Sequence, residues 1–440
     1  MSSVTTEKKK IVILGCGFAG LFAARSFANS DYDVTIVDKE NYHVFQPLLY
    51  QVATSELDPA QIAYPIRSTF RHVENVDFLM AEVTQIDFKN KYVFLDERIL
   101  YYDAILIALG SVTNDFHTPG ADTYCFRLKN LEQAMELRNH ILSCFERVEH
   151  EPDPVKRKQL LTFTIIGGGP TGVELSGALS ELINGPIRKD FPRLDLKEAN
   201  IVLLQAMDCL LPPFPKRLQE YTQKRLQKKG VDVRLNAMVS EISEHCVSIK
   251  DGSMINSGTV IWTAGVKGAP IASQFGVEMG RGGRVLVNEY LQLEEYPEVF
   301  VAGDIGLERD PERGVPMVAT AAIQQGEHAA KNIRHFFEGS HLEPFAYNNK
   351  GSLAVIGRNA AVADVKGSQF TGFLAWILWL TIHLAYLIGF RNRLMVLINW
   401  GIDYLLKEKG VRVILPKDMK HIFGWDGVDS SKPDRDTSNE

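Results

Sequence analysis

The residues of this 440-residue chain whose types and spacing can do chemistry are first of all two glycine turns. The first, Gly15-Cys16-Gly17-Phe18-Ala19-Gly20, follows the apolar run Ile11-Val12-Ile13-Leu14 and leads into residues 21–28, apolar at helical spacing. The β-branched Val34-Thr35-Ile36-Val37 comes next and ends on Asp38. In such a strand–turn–helix–strand unit Gly15 permits the tight turn and Gly17 lets the backbone approach a pyrophosphate. Gly20 lets helix and strand pack closely. The helix start offers unpaired N–H groups to phosphate oxygens, and Asp38 is placed to accept both hydroxyls of an adenosine ribose. A bare G-x-G-x-x-G is a weak signal; the flanking strands and the acid at this distance make it a dinucleotide site.

The second turn is Gly167-Gly168-Gly169-Pro170-Thr171-Gly172, between the apolar strand 161–166 and the helix 173–182. Glycines 167, 169 and 172 repeat the first spacing, so two different nucleotides held face to face are expected. The next strand, Ile201-Val202-Leu203-Leu204, is delayed by a polar insertion at 185–199 and ends in Gln205 instead of an acid. A neutral amide removes the repulsion that excludes a 2′-phosphate and can still hydrogen-bond a 2′-hydroxyl, so NADH and NADPH both remain open. Three more strands run into small residues and bring backbone towards a ligand: 104–109 into Gly110 to Thr113, 260–262 into Gly265, and 299–301 into Ala302-Gly303-Asp304. Asp304 is read as a ligand for a polyol chain, or else as the cap of a following helix.

Strands are also expected at 76–82 and 92–95, a helix at 131–148, and a linker in the charged, Pro-containing run 149–158. The aromatic segment 41–54 lies where a loop would pass a flavin ring, although for any single one of its aromatics core packing is the better reading. The length allows two or three domains, and the composition, 45% hydrophobic and 23% charged, is globular. A net charge of −6 gives no reason to expect nucleic-acid binding. The five cysteines, at 16, 125, 144, 209 and 246, include no C-x-x-C. Neither a metal site nor a redox-active dithiol is supported, and a reducing compartment fits. The polar, then basic first ten residues and the short strand after them do not make a signal peptide, so export is not expected.

These motifs together resemble the two-dinucleotide-binding-domain flavoproteins, and specifically the type II NAD(P)H:quinone oxidoreductases, or alternative NADH dehydrogenases. The likeness runs from about residue 10 to 415. It rests on the first glycine turn, on Gln46-Pro47-Leu48-Leu49-Tyr50-Gln51-Val52-Ala53-Thr54 and on Gly168-Gly169-Pro170-Thr171-Gly172-Val173-Glu174. It also rests on Ala302-Gly303-Asp304, on Ala319-Thr320-Ala321-Ala322-Ile323-Gln324-Gln325-Gly326 and on the hydrophobic C-terminal region. The resemblance implies an α/β fold: two Rossmann-like domains, for FAD and NAD(P)H, plus a C-terminal α-helical membrane-anchoring region. The expected divisions are an FAD-binding part at 8–128, an NAD(P)H-binding domain at 129–288 and a second FAD-binding part at 289–345. A membrane-association and dimerisation region at 346–425 and a disordered tail at 426–440 follow.

By the same resemblance FAD is held non-covalently by Gly15, Gly17, Phe18, Ala19, Gly20, Asp38, Lys39, Thr113 and Asp304. The nicotinamide nucleotide falls to Gly167, Gly169, Gly172, Glu174, Gln205 and Gly265. Glu174 matches a carboxylate near nicotinamide and flavin, with nucleotide binding or proton handling as its role; as a first-turn acid it would also complement the helix dipole. The quinone motif departs from the family's Ala-Gln-x-Ala-x-Gln: Thr320 stands for the first Gln and Gln324 keeps the second, both on one helical face. Gln324 therefore carries more of the quinone contact.

Residues 370–390 carry no formal charge and as one helix would span about 31 Å, enough to cross a bilayer. Glycines near both ends, Arg391 and Arg393 just after, and a second apolar run at 394–406 point instead to helices lying in the headgroup region. Seven Lys/Arg against three Asp/Glu between 391 and 420 suit an anionic leaflet. Trp376 and Trp379 are expected at the interface, and His383 as a packing residue. The function that follows is a peripheral membrane flavoenzyme on the cytoplasmic face, oxidising NAD(P)H, reducing a membrane quinone and pumping no protons, with a homodimer implied by the resemblance. Two competing readings are a soluble FAD-dependent reductase for a ferredoxin-like partner and a redox-dependent nucleotide-binding interaction module.

Overall fold

The computed structural model describes residues 8–309, 314–406 and 408–415; the expected tail and the basic Lys417 and Lys420 lie outside them. Near-continuous apolar runs need a sheet covered on both faces, and two five-stranded parallel sheets bury them. The first is ordered Val299–Val301, Ala104–Ile107, Lys10–Leu14, Asp33–Asp38, Val76–Met80. The second is ordered Phe126–Arg127, Thr259–Trp262, Thr162–Ile166, Asn200–Leu204, Val231–Arg234. In each sheet the strand leading into a glycine turn is central, and its C-terminal end is where a doubly wound fold binds ligands. The first sheet is completed by Val299–Val301, which follows the whole second sheet in the chain, so the two units are interleaved. Arg284–Val287 pairs with Gly306–Glu308, immediately beside the Asp304 turn.

Three local expectations change. The run 149–158 is not simply a linker: Asp153 accepts a hydrogen bond from Val155 N at 2.8 Å and starts a helix at Pro154–Leu160. Asp304 caps no helix, because Gly306–Glu308 is a strand and the next helix among the described residues is Ala319–Glu338. The C-terminal region is not helical throughout. It opens with an antiparallel sheet, Ser352–Gly357, Ala360–Val365 and Ser368–Gly372, whose first hairpin turns at Arg358-Asn359 with Asn359 at φ 58°.

Residues 370–390 accordingly do not form one helix. Residues 370–372 finish a strand, Phe373–Tyr386 is a helix of 14 residues, Gly389 breaks the chain at φ 86°, and Phe390–Leu406 is a second helix. At about 21 Å the first is too short for a bilayer's hydrocarbon core, and no helix among the described residues is long and apolar enough to cross a membrane.

The helix Ala319–Glu338 lies along Phe18–Ser26 so closely that a Cβ added at Gly326 would overlap Ala19 O. This contact sets the start of the first unit's helix against the Ala319–Glu338 helix. Replacing Gly326 by Ala should destabilise the protein by about 2 kcal/mol through overpacking, seen as a lowered thermal midpoint; an unchanged melt would show that the two helices do not meet this tightly.

Candidate active site

Both glycine turns have the same construction. At Gly15 (φ 93°) an added Cβ would lie 2.5 Å from Ala108 O, and at Gly20 it would overlap Gly15 O. At Gly167 (φ 114°) it would lie 2.7 Å from Ala264 N, and at Gly172 it would overlap Gly167 O. Gly17 and Gly169, the middle glycines, have nothing within 4 Å of such a carbon. Each turn is thus closed at its outer glycines and open at the middle one, the cradle a pyrophosphate needs above a helix start.

The residue ending the next strand locks each turn. Asp38 Oδ2 accepts from Cys16 N at 2.6 Å and Oδ1 from Glu40 N at 2.9 Å, so each oxygen keeps a lone pair for a ribose hydroxyl. Gln205 does the same in the second unit: Oε1 accepts from Gly168 N at 3.1 Å, and Nε2 donates to Cys209 O at 3.1 Å. Phe18 and Ala19 are buried beside the first turn, while Lys39 is exposed next to Asp38. Ser111–Thr113 pairs antiparallel with Val266–Gly268, which puts Thr113 opposite Val266, immediately after the left-handed Gly265. The two units' ligand-facing loops are therefore hydrogen-bonded to each other.

Asp304 is held from several sides. Ser111 Oγ donates to its Oδ2, and Lys129 Nζ lies 3.6 Å from the same oxygen. Its backbone turn is clamped by two residues that sequence reasoning did not single out. Gln325 Oε1 accepts from Gly303 N at 2.8 Å, and the buried Arg284 donates to Asp304 O at 2.9 Å and to Gly306 O. Gln325 lies inside the Ala319–Gly326 motif without a role assigned to it there, and nothing local marks Arg284.

The expected quinone residues lie together on the Ala319–Glu338 helix with their polar groups already engaged. Thr320 Oγ1 is 3.0 Å from Tyr347 OH. Gln324 donates from Nε2 to Asn348 O at 3.1 Å and accepts from Asn348 N at 2.9 Å. They brace the segment at 347–348 that leads into the C-terminal sheet.

Glu174 occupies the second turn of its helix, not the first, so a dipole role does not hold. It is buried, and its Oε1 accepts from Val355 N and from Trp379 Nε1, both at 3.2 Å. Burial pushes its carboxyl up to about 8, against the pull of those two N–H groups, so near neutral pH it is mostly an uncharged acid. Trp379 is 1% exposed and therefore does not sit at a membrane interface as expected. His383 stacks on it at 4.0 Å between centroids and gives Nδ1 to Trp379 O. Phe45 meets His383 edge-on at 6.1 Å and Phe18 at 5.8 Å. A continuous line of rings thus joins the first glycine turn to Glu174 of the second unit through the C-terminal helix.

Comparison with known proteins follows this geometry. Residues 9–326 match the pyridine nucleotide-disulphide oxidoreductase family, and residues 349–407 match the NDH2 C-terminal domain. Over 420 residues the chain is 38% identical to the type II NADH:quinone oxidoreductase Ndh of Mycobacterium tuberculosis, covering 92% of this chain and 90% of that one. The chain belongs to the type II NADH:quinone oxidoreductase family. A second relative in this family, from Staphylococcus haemolyticus, is 30% identical over 83% of this chain and 92% of its own. The structure of NDH2 from Plasmodium falciparum in complex with NADH shares the fold at a TM-score of 0.86, with 20% identity, over 93% of this chain and 100% of that one. In this type II chain the C-terminal domain is not a mere appendage, because it supplies both hydrogen-bond donors to Glu174.

A neutral buried acid has a thermodynamic signature. The Glu174 carboxyl sits above its unfolded value, so its contribution to stability is complete below about pH 4.5 and is lost as pH rises through about 8. Denaturant unfolding across that window should show the wild type losing stability with rising pH and Glu174→Gln losing less; parallel curves would mean that the acid is already ionised in the folded state.

Proposed function

We propose that this protein is a membrane-associated flavoenzyme that oxidises NADH and reduces a membrane quinone by two electrons, without proton pumping. Its family membership supports this, and one observation of its own carries it furthest. The NDH2-type C-terminal domain is seated on both dinucleotide units through Trp379, His383 and Phe45, while the far side of its helices is bare and apolar. Phe373, Leu374, Leu394, Leu397, Ile402 and Leu405 are all exposed there, and Phe390 is 82% exposed. In the ferredoxin-reductase reading residues 370–390 would pack internally, which that exposure opposes.

FAD, when bound, supplies the hydride-accepting and electron-donating chemistry. The first unit fits it: Gly15, Gly17, Phe18, Ala19 and Gly20 form the open cradle, Asp38 with Lys39 beside it takes the ribose, and Thr113 and Asp304 line the far end. Gly167, Gly169, Gly172, Gln205 and Gly265 take the nicotinamide nucleotide. Both polar ends of Gln205 are spent on backbone, and the nearby Arg234 is paired with Asp232 at 2.9 Å, which favours NADH over its 2′-phosphorylated form. Thr320 and Gln324 form a wall of the quinone site and hold the 347–348 segment in place. Glu174, as a neutral acid, gives a proton to the developing quinol.

The exposed helices carry Arg391 and Arg393 on a strongly apolar surface, which suits an anionic leaflet. A second copy of the chain is the other surface this band would suit, as in the homodimer the resemblance implies. The five free thiols fit the reducing, cytoplasmic side.

Anaerobic stopped-flow tests the two halves of the reaction separately. NADH should bleach the bound flavin, and a quinone should restore its colour; bleaching that no quinone reverses would remove the second half of the proposal. Gln324→Leu should slow the quinone half about tenfold or more and leave bleaching by NADH nearly unchanged, and equal losses would count against its place at the quinone. Phe390→Asp combined with Leu405→Asp should release the protein from anionic vesicles while turnover with a water-soluble quinone persists. Undiminished vesicle binding would place the membrane surface elsewhere.

A further inference from the structure

The pocket containing Glu174 holds an acid–base network that the proposed reaction has not used. It is a cleft of about 40 Å³ lined by Tyr50, Gln51, Glu56, Glu174, Trp379 and Trp400 at its inner end. Arg358, Trp376, Asp403 and Tyr404 lie at the other, where Trp376 stacks on Tyr404 at 5.4 Å and Arg358 lies over the Tyr404 ring at 5.5 Å. The side chain of Glu56 is 13% exposed; its Oε2 lies 3.2 Å from Nζ of Lys409, itself 2% exposed, and its Oε1 accepts from Gln51 Nε2 at 3.0 Å. Gln51 is fixed at both ends. Trp400 Nε1 donates to its Oε1 at 3.0 Å, and its Nε2 also donates to Tyr50 OH at 3.1 Å. Hydrogen bonds therefore run from Lys409 through Glu56 and Gln51 to Tyr50, whose hydroxyl shares the pocket with Glu174.

We propose that Glu56 re-protonates Glu174, so that the proton consumed at the quinone enters through this pocket from its Arg358–Asp403 end. The proposal rests on the quinone-reducing reading. NADH and quinone become NAD⁺ and quinol with uptake of one solvent proton. The Glu174 O–H bond breaks as a quinol O–H forms. The Glu174 carboxylate then takes a proton originating at Glu56, carried by water in a pocket polar and roomy enough to hold it, and Glu56 is recharged from solvent. Two electrons from NADH reduce the quinone, and no carboxyl changes oxidation state.

The surroundings of Glu56 suit a group that both loses and regains a proton. Burial pushes its carboxyl up, opposed by Lys409, while Asp403 and Glu181 add to the rise. Lys229 and Arg358 hold Glu181, through Nζ at 2.5 Å and the backbone N at 2.7 Å, and Arg358 also holds Asp403, so the neighbouring charges are tied down. Tyr50 and Glu174 are the remaining titratable groups facing the inner end.

The test takes flavin-loaded enzyme, reduced anaerobically with NADH and then mixed with a short-chain quinone from about pH 6 to about pH 9. Glu56→Gln should slow reoxidation about tenfold or more at the alkaline end and leave reduction by NADH within about twofold. Formate, a small acid able to enter the pocket, should restore the rate, and Glu56→Asp should retain most of it. Wild-type reoxidation of Glu56→Gln across the range overturns the proposal, as does a loss that neither formate nor Asp repairs, since that loss is structural. If Glu56→Gln does not fold, Lys409→Met removes the cation that favours the Glu56 carboxylate and should move the alkaline fall in reoxidation to higher pH; an unmoved profile overturns the proposal. Reduced wild type that no quinone reoxidises would sink the functional reading itself, whereas an unaffected Glu56→Gln sinks only the relay.

Discussion

The arrangement depends on one buried carboxyl. Glu174 belongs to the helix that follows the second glycine turn, yet both of its donors, Val355 N and Trp379 Nε1, come from the C-terminal domain. A carboxyl in such a place must be satisfied or neutral, because an unpaired buried charge is too costly to keep. The two N–H groups on Oε1 fix the side chain and pull towards the carboxylate, so it is burial that keeps Glu174 an acid. The same bonds orient Trp379, and through its stack with His383 they seat the C-terminal helix against Phe45 and the first unit. One interaction thus fixes the second unit, the C-terminal domain and the approach to the first.

That joint explains why so short a C-terminal domain can do two jobs. Its inner residues, Ala375, Trp379, Val396 and Trp400, are buried against the dinucleotide units, and its outer residues are left apolar and bare. A helix apolar all round ordinarily signals a core or a membrane span. Here Phe373–Tyr386 is too short to span; Ala375 and Trp379 face the protein while Phe373, Leu374 and Ile377 are exposed. The proposed electron transfer to a membrane quinone would use that division, with a protein side that holds cofactors and an exposed apolar side open to a hydrophobic oxidant.

Much of this was legible in the sequence, for local reasons. Glycines 15, 17 and 20 and glycines 167, 169 and 172 declare themselves because backbone clearance is a property of single positions, and Asp38 and Gln205 follow from strand length. The strands of the two sheets were readable because burial on both faces leaves apolar runs with no alternation. What could not be read depends on partners distant in the chain. Arg284 and Gln325 clamp the Asp304 turn from separate elements. Trp379 looked like an interfacial residue because its neighbours are apolar, and only the fold shows Glu174 beside it. The strands 352–372 were hidden by Gly357 and by alanine-rich stretches with little β-propensity, and the helix 154–160 by a charged composition typical of linkers. The resemblance gives Gln324 a quinone contact, and only the fold shows its amide bonded to Asn348 at both ends.

The charge state of Glu174 in the folded enzyme tests this account most directly. Infrared difference spectra of the enzyme, recorded at neutral pH before and after quinone addition and compared with Glu174→Gln, report whether that side chain is an acid or a carboxylate. The account predicts a protonated carboxyl band that the substitution removes and that responds to quinone reduction. A Glu174 found as a carboxylate in both states, with no acid band lost on substitution, would contradict it.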